Sequence, residues 1–357
     1  MNARNILVES KKPNELNCSH ALKSYFMADD QRRGMNMTDN FIDTIFQEAT
    51  KRAHTRFWVI SDLQQGVYER AERYMSFAIN DLNNIPGKLD GVCYLGDASE
   101  GTDLANINRM IDMQLEKLDS LALPIYYTIG NHETEYCRFC RKNGDLTNGR
   151  LPFYDAVRNR PNWHVVKSQE DFWFSEEMPE YTMLFFSDHL AKDGSWIGFY
   201  EKLPQADSGY PYTKADWEAV RDRFAGDKPV FTFSHYAFPG GNRESEFLGQ
   251  MLPLPKNYRA HFHGHAHIGD AVWAGKNLYR QIAAVDDHPI VQFDVSSLDH
   301  WRGTTVRSAF FDYYGDGEYG VFFRDHVNAR WEQFFVSSHD ARDACIPEQF
   351  RKYMLSC

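Results

Sequence analysis

The chain has 357 residues, 43% apolar and 15% aromatic, enough to bury a sizeable core in one large domain or two ordinary ones, which excludes global disorder. Its formal charge of −11 disfavours broad binding to a nucleic-acid backbone, which needs clustered Lys and Arg, yet leaves room for a small anionic ligand. No run approaches the roughly 18–20 apolar residues of a membrane helix, Met1 to Asn14 lacks the apolar block of a secretory signal, and six scattered cysteines do not make a disulfide framework; a reduced, cytoplasmic protein is expected.

Residues 1 to about 37 show little periodicity and read as an arm. Asp39 is placed to cap a helix through about Arg52, with Phe41, Ile42, Ile45 and Phe46 on its apolar face. Arg56 to Ser61 reads as a buried strand, Gly66 to Leu82 as a helix and Gly91 to Leu95 as a second strand. Leu104 to Leu121 reads as another helix, and Pro124 to Ile129 as a third strand. Strands alternating with helices of this length indicate parallel β-α-β units. Tyr181 to Ser187 and Pro229 to Ser234 follow as strands, with a helix predicted over Thr213 to Phe224. Beyond residue 290 the pattern turns to strands at Val291 to Val295, Ser308 to Tyr314, Tyr319 to Arg324 and Ala329 to Val336, and Gly315-Asp316-Gly317 marks a hairpin turn. The expected fold is α/β, two mixed β-sheets packed as a sandwich with flanking helices. The expected division is an arm and helix over 1–55, one domain over 56–340 and a tail over 341–357.

Polar groups gather where these strands end. Asp62 and Asp97 each follow a strand with one β-α-β step between them, which brings both carboxylates to the same edge of the sheet, where α/β proteins place ligands. Asn131 and His132 follow the third strand, His235 a later one, and His265 and His267 come after Tyr258 to His263. One Asp or His at a strand end is ordinarily a capping or solvated residue. Five such coincidences in order point instead to a two-metal hydrolytic centre.

The segments Gly96-Asp97, Gly130-Asn131-His132-Glu133, His235 and Gly264-His265-Ala266-His267, led by Asp62-Leu63-Gln64, resemble the motifs of the calcineurin-like metallophosphoesterase superfamily over about residues 56 to 300. The resemblance implies a metal-dependent phosphoester hydrolase. In it Asp62, Gln64, Asp97 and His267 hold one ion, while Asp97, Asn131, His235 and His265 hold the other. His132 assists the leaving oxygen, oriented by Asp97, and Glu133 structures its loop. Oxygen and nitrogen donors suit Mn²⁺ or Fe first, with Zn²⁺ or Mg²⁺ as further choices. The family has His where this chain has Gln64, a weaker donor, and loss of that His tilts the expectation toward monoesters over diesters. The second motif lacks the Asp-Arg pair of protein Ser/Thr phosphatases, so the expected substrate is a small-molecule or nucleotide-type ester. A phosphodiesterase on the same site, and a non-catalytic scaffold of the same fold, are the alternatives.

Other groups stand beside these. Asn242 and Arg243, in a glycine-containing loop after His235, are placed to clamp phosphate oxygens. Cys137 and Cys140 would make half of a zinc site, but no second pair exists, so a local disulfide or two ordinary thiols is the plainer reading. His261 and His263 are read as buried, hydrogen-bonded residues, His189 as lying near the site at most, and Asp299 to Arg302 as a wall for it. The stretch from Glu133 to Trp163 is read as a specificity cap.

Overall fold

The computed structural model describes residues 37–64, 66–144, 151–190, 196–197, 220–237, 255–267, 278–285, 288–300 and 305–337. Helix α1 (Met37–Arg52) opens the described chain, two residues ahead of the expected Asp39 cap, and strand β1 (Thr55–Ile60) follows. Helix α2 (Tyr68–Leu82), β2 (Gly91–Tyr94), α3 (Leu104–Asp119) and β3 (Ile125–Tyr127) complete two β-α-β steps. Short helices α4 (Glu135–Lys142) and α5 (Pro152–Val157) then lead to β4 (Trp163–His164). The remaining described elements are strands: β5 (Trp173–Glu177), β6 (Thr182–Phe186), β7 (His189–Leu190), β8 (Trp196–Ile197), β9 (Val230–Ser234), β10 (Tyr258–His263), β11 (Tyr279–Val285), β12 (His288–Asp294), β13 (Arg307–Gly315), β14 (Glu318–Asp325) and β15 (Arg330–Val336).

They form two mixed sheets, in the orders β15-β14-β13-β1-β2-β3-β4 and β11-β12-β10-β9-β6-β5, with β7 and β8 pairing separately. β1 to β4 run parallel, and β13 joins β1 antiparallel. In the second sheet β6, β9, β10 and β12 run parallel, between antiparallel edges β5 and β11. Period-two alternation sorts the side chains into layers. Trp58 and Ile60 pack with Tyr74, Met75, Met110 and Leu118 of the helices, whereas Phe57 and Val59 pack with Phe231, Phe233 and Phe262 of the facing sheet. Phe185, Phe233, Phe262 and Phe293 occupy matching register on four parallel strands, and their rings stack with centroids 4.8–5.0 Å apart. That ladder keeps the strand ends level.

α1 belongs to the same core. Ile45, Phe46 and Ala49 are buried, and the Phe46 ring lies against Trp331. Arg56 leaves β1 to pair with buried Asp312 through Nε (2.6 Å) and Nη2 (2.5 Å). The predicted hairpin turn at Gly315-Asp316-Gly317 is present, all three residues having positive φ. The cap reading of Glu133 to Trp163 is corrected in part, because α4, α5 and β4 carry Cys137, Phe153, Tyr154 and Trp163 into the main core. Cys137 and Cys140 lie one helical turn apart on α4, buried and not joined in a disulfide. The arm before residue 37, residues 213–219 of the predicted helix, Asn242, Arg243, Trp301, Arg302 and the tail over 341–357 lie outside the described residues.

Candidate metal centre

The expected donors meet at the shared edge where β1, β2, β3, β9 and β10 end. Two groups of acid and imidazole side chains converge there: Asp62, Asp97 and His267, and Asp97, His235 and His265. Asp97 belongs to both. Each carboxylate spends one oxygen on the backbone. Asp62 Oδ2 accepts from the amide of His265 (2.9 Å), and Asp97 Oδ1 accepts from the amide of His132 (2.8 Å). The other oxygens, Asp62 Oδ1 and Asp97 Oδ2, accept no hydrogen bond and instead face Nε2 of His267 (2.9 Å) and of His235 (3.0 Å).

These atoms suit a cation. Nδ1 of His235 faces the Leu95 carbonyl at 2.8 Å, an oxygen that can only accept, so Nδ1 carries a proton and Nε2 is the atom left to meet Asp97, as a lone pair toward a cation or as a second N–H without one. Around that Nε2 stand Asn131 Oδ1 at 3.1 Å and His265 Nδ1 at 3.2 Å, besides Asp97. Electron-rich atoms packed this closely, out of water, need a positive charge among them. Their electrostatics say the same: burial opposes charge on His235, but Asp97 and Asp62 raise it to about 10. Burial would raise Asp62, yet His267 and His235 hold it well below the usual carboxylate range. His265, partly buried and beside His235, falls to about 4.

Gln64 is buried within this cluster, its Nε2 3.0 Å from His267 Nε2 and its Oε1 without a hydrogen-bond partner. An amide oxygen with nothing to accept from is a ready donor to a cation.

The backbone is bent to make this arrangement. Asp62, Asp97, His265 and His267 have φ of 57°, 53°, 62° and 46°, a region that side chains other than Gly rarely occupy and that costs about 1–3 kcal/mol each. Such strain clusters at functional sites. The motif glycines allow close approach: a Cβ on Gly130 would lie 2.4 Å from Asp97 Oδ1, and one on Gly264 would lie 1.9 Å from Ser61 Oγ. Glu133 ties the loops together. Its Oε2 accepts from Asp97 N (3.0 Å) and Gly130 N (2.7 Å), and its Oε1 from the amides of Ala98 and Ser99. Burial and Asp97 raise its carboxyl to about 7, against the pull of His235 and of the Gly130 and Ala98 amides.

His132 sits at the rim, partly exposed. Its ring is held by Glu135, whose Oε1 lies 2.8 Å from Nδ1, rather than by Asp97, whose Oδ2 is 3.9 Å from Nε2. Asp97 instead takes the backbone amide of His132. Burial alone would lower His132, but Glu135, Asp97 and Glu100 raise it to about 9. Glu135 in turn accepts from Gly101 N at 2.9 Å. The sequence reading missed Glu135, although it lies three residues from His132 at the start of a helix, the spacing that brings side chains together. It also missed Asp188 and Tyr236, which stand behind Asn131 and His235. His261 and His263 are buried and hydrogen-bonded as expected: His261 meets Thr232 Oγ1 (2.8 Å) and the Tyr236 carbonyl (2.9 Å), and His263 meets the Gly264 carbonyl (2.9 Å). Of the predicted wall, Asp299 is buried, its amide donating to Ser297 Oγ, and His300 is exposed.

A sequence model of the calcineurin-like phosphoesterases matches residues 55–269. The chain belongs to that family. This calcineurin-like phosphoesterase is also similar, at low sequence identity, to several solved structures. A purple acid phosphatase from yellow lupin (Lupinus luteus) seeds is 12% identical with a TM-score of 0.48, over 82% of this chain and 55% of the lupin chain. The phosphoesterase thus spans just over half the length of that enzyme. A phosphatase from Mycoplasma pneumoniae is 10% identical with a TM-score of 0.38, over 83% of this chain and 98% of the other. A protein serine/threonine phosphatase from Saccharomyces cerevisiae is 11% identical with a TM-score of 0.30, over 83% and 89%. No functionally curated protein matches the sequence. Among the described residues, no helix is long and apolar enough to cross a membrane.

Proposed function

We propose that this phosphoesterase hydrolyses a small-molecule or nucleotide-type phosphate ester, with monoesters preferred, at two divalent cations that share Asp97. The carrying observation is that two donor groups converge on one carboxylate with an imidazole poised at the rim. Asp62, Gln64, Asp97 and His267 would hold one cation, and Asp97, Asn131, His235 and His265 the other, with Mn²⁺ or Fe ahead of Zn²⁺ or Mg²⁺ from the donor chemistry. When bound, such a pair polarises phosphoryl oxygens and activates water for in-line attack.

The chain's own groups do the rest. His132, with Nδ1 directed at Glu135, keeps a proton on Nε2 for the departing alkoxide or phenoxide. Asp97 positions His132 through its backbone amide. Asn242 and Arg243 remain our proposed clamp on the phosphate oxygens. We assign the catalytic domain to 56–340, after the arm and helix of 1–55 and before the tail of 341–357, and infer a cytoplasmic location. The acidic balance, −11 overall, speaks against a nuclease.

The test is to measure metal content and then turnover of aryl phosphate mono- and diesters with Mn²⁺. Two ions per chain, hydrolysis, and its loss in Asp97→Ala and His132→Ala are expected. A folded protein that takes up no metal and turns over neither ester refutes the proposal.

A further inference from the structure

Asn131, His235 and His265 come from three separate loops, yet one side chain touches all three. The Tyr236 ring lies edge-on to the imidazoles of His235 (centroids 4.9 Å apart) and His265 (4.8 Å), and its hydroxyl lies 3.4 Å from Asn131 Oδ1. The same hydroxyl is 3.4 Å from Asp188 Oδ2, so its one proton is shared between an amide oxygen and a carboxylate. Tyr236 and Asp188 are both buried.

Tyr236 is itself held in place. Its carbonyl accepts from Ser234 Oγ (2.5 Å) and lies 2.9 Å from His261 Nε2, which gives those two buried polar residues a purpose. The Asp188 amide donates to the Ile129 carbonyl (3.1 Å), tying the end of β6 to the loop that carries Asn131. The donor side chains that the Tyr236 ring and hydroxyl meet, Asn131, His235 and His265, all lie on one side of Asp97.

We propose that Tyr236, backed by Asp188, is a positioning residue for one cation only, the one held by Asn131, His235 and His265. The inference rests on the two-cation reading above. The hydroxyl keeps the Asn131 amide oxygen turned into the site, and the ring sets the two imidazoles at their 73° interplanar angle. Groups that orient metal ligands typically change metal affinity by about 10–100-fold when removed. Both hydroxyl contacts are long, so the lower end of that range is expected for loss of the hydroxyl alone.

The experiment is Mn²⁺ titration of the metal-stripped full chain, with free Mn²⁺ read by electron paramagnetic resonance. Wild type should bind two ions. Tyr236→Phe should weaken one binding step about tenfold and leave the other unchanged, with the melting temperature of the metal-free protein preserved. Tyr236→Leu, which also removes the ring edge, should weaken the same step further. In Gln64→His/Tyr236→Phe one step should tighten and the other weaken, showing that the two residues serve different ions. Two unchanged steps in Tyr236→Phe, or equal weakening of both, overturns the positioning role while leaving the two-cation reading intact. Wild type that binds fewer than two ions overturns that reading, and this inference with it, before any variant is made.

Discussion

Gly264→Ala tests whether the first and last motifs must touch for the site to exist. The added methyl would lie 1.9 Å from Ser61 Oγ, 2.3 Å from Asp62 Oδ2 and 2.6 Å from Ser61 Cβ, where ordinary contact begins at 3.4 Å. The hydroxyl can swing aside by giving up its bond to the Leu95 carbonyl, but the Cβ cannot, so the two backbones must part by nearly 1 Å. The Asp62 carboxylate must retreat by slightly more, breaking its hydrogen bond from the His265 amide. Overpacking of this kind costs about 1–3 kcal/mol, and the lost buried hydrogen bond about 1 more. The expected result is a melting temperature several degrees lower, at roughly 2–4 °C per kcal/mol for domains somewhat smaller than this. Loss of the cation held by Asp62 and His267 should accompany it. Gly226→Ala is the control, since a Cβ there meets nothing within 4 Å. A Gly264→Ala protein that melts like this control and keeps full metal content refutes the close contact on which the site is built.

Glu135→Gln should slow esters of poor leaving groups about 10–100-fold and esters of good ones far less, because only the former need a proton from His132. Glu135 helps raise His132 to about 9, so a rate that needs the protonated ring falls as pH rises through 9, and in Glu135→Gln that fall should move to lower pH; identical profiles would remove Glu135 from the mechanism. Arg56→Met strands the buried Asp312 carboxylate and should cost about 3–5 kcal/mol, whereas Arg56→Met/Asp312→Leu should recover most of it, as measured by thermal melting. Asp81, held by Arg324 and His326, is depressed from 3.8 to about 2 despite its burial. Its stabilisation is complete above pH 3.8 and is lost as pH falls through 2, with about 1 kcal/mol already gone at pH 3. The gap in melting temperature between wild type and Asp81→Asn should therefore narrow between pH 5 and pH 3, and a constant gap would count against the ion pair.

β1, β2 and β9 were legible because each is a largely apolar run followed closely by Gly, Asp or His, whereas β10, Tyr-Arg-Ala-His-Phe-His, was legible by its alternation, and all four begin and end within about two residues of expectation. β5 was missed because its residues are only half-buried and Ser175, Glu176 and Glu177 dilute its alternation. β11 was missed for want of clean alternation in Tyr-Arg-Gln-Ile-Ala-Ala-Val, where the register also shifts between Gln281 and Ala283. In the site, strand ends pointed to the acidic, amide and imidazole candidates, each within a few residues of a strand, while Gln64 and the ligand roles came from the family resemblance. Tyr236 and Asp188 could be found from neither. Their role depends on β6 and β9 lying side by side, a pairing that local sequence does not encode.

The same geometry explains how Gln at position 64 can be accommodated. Three of the other donors are fixed by partners that Gln64 does not touch: Asp62 by the His265 amide, Asp97 by the His132 amide, and His235 by the Leu95 carbonyl. Glu133 holds the Asp97 loop to the Asn131 loop independently of them. The one described side-chain contact of Gln64 is with His267 Nε2. A change from His to Gln therefore alters a single donor without loosening the frame around it. An amide also offers a choice that imidazole lacks, because either its oxygen or its nitrogen can be turned to His267 by rotation about one bond. On the two-cation proposal, Gln64 would be a fourth ligand with its oxygen turned inward and a hydrogen-bond donor beside a three-ligand site with its nitrogen inward. On that proposal, the rotation of this one side chain would tune the affinity of the cation beside Asp62 and His267.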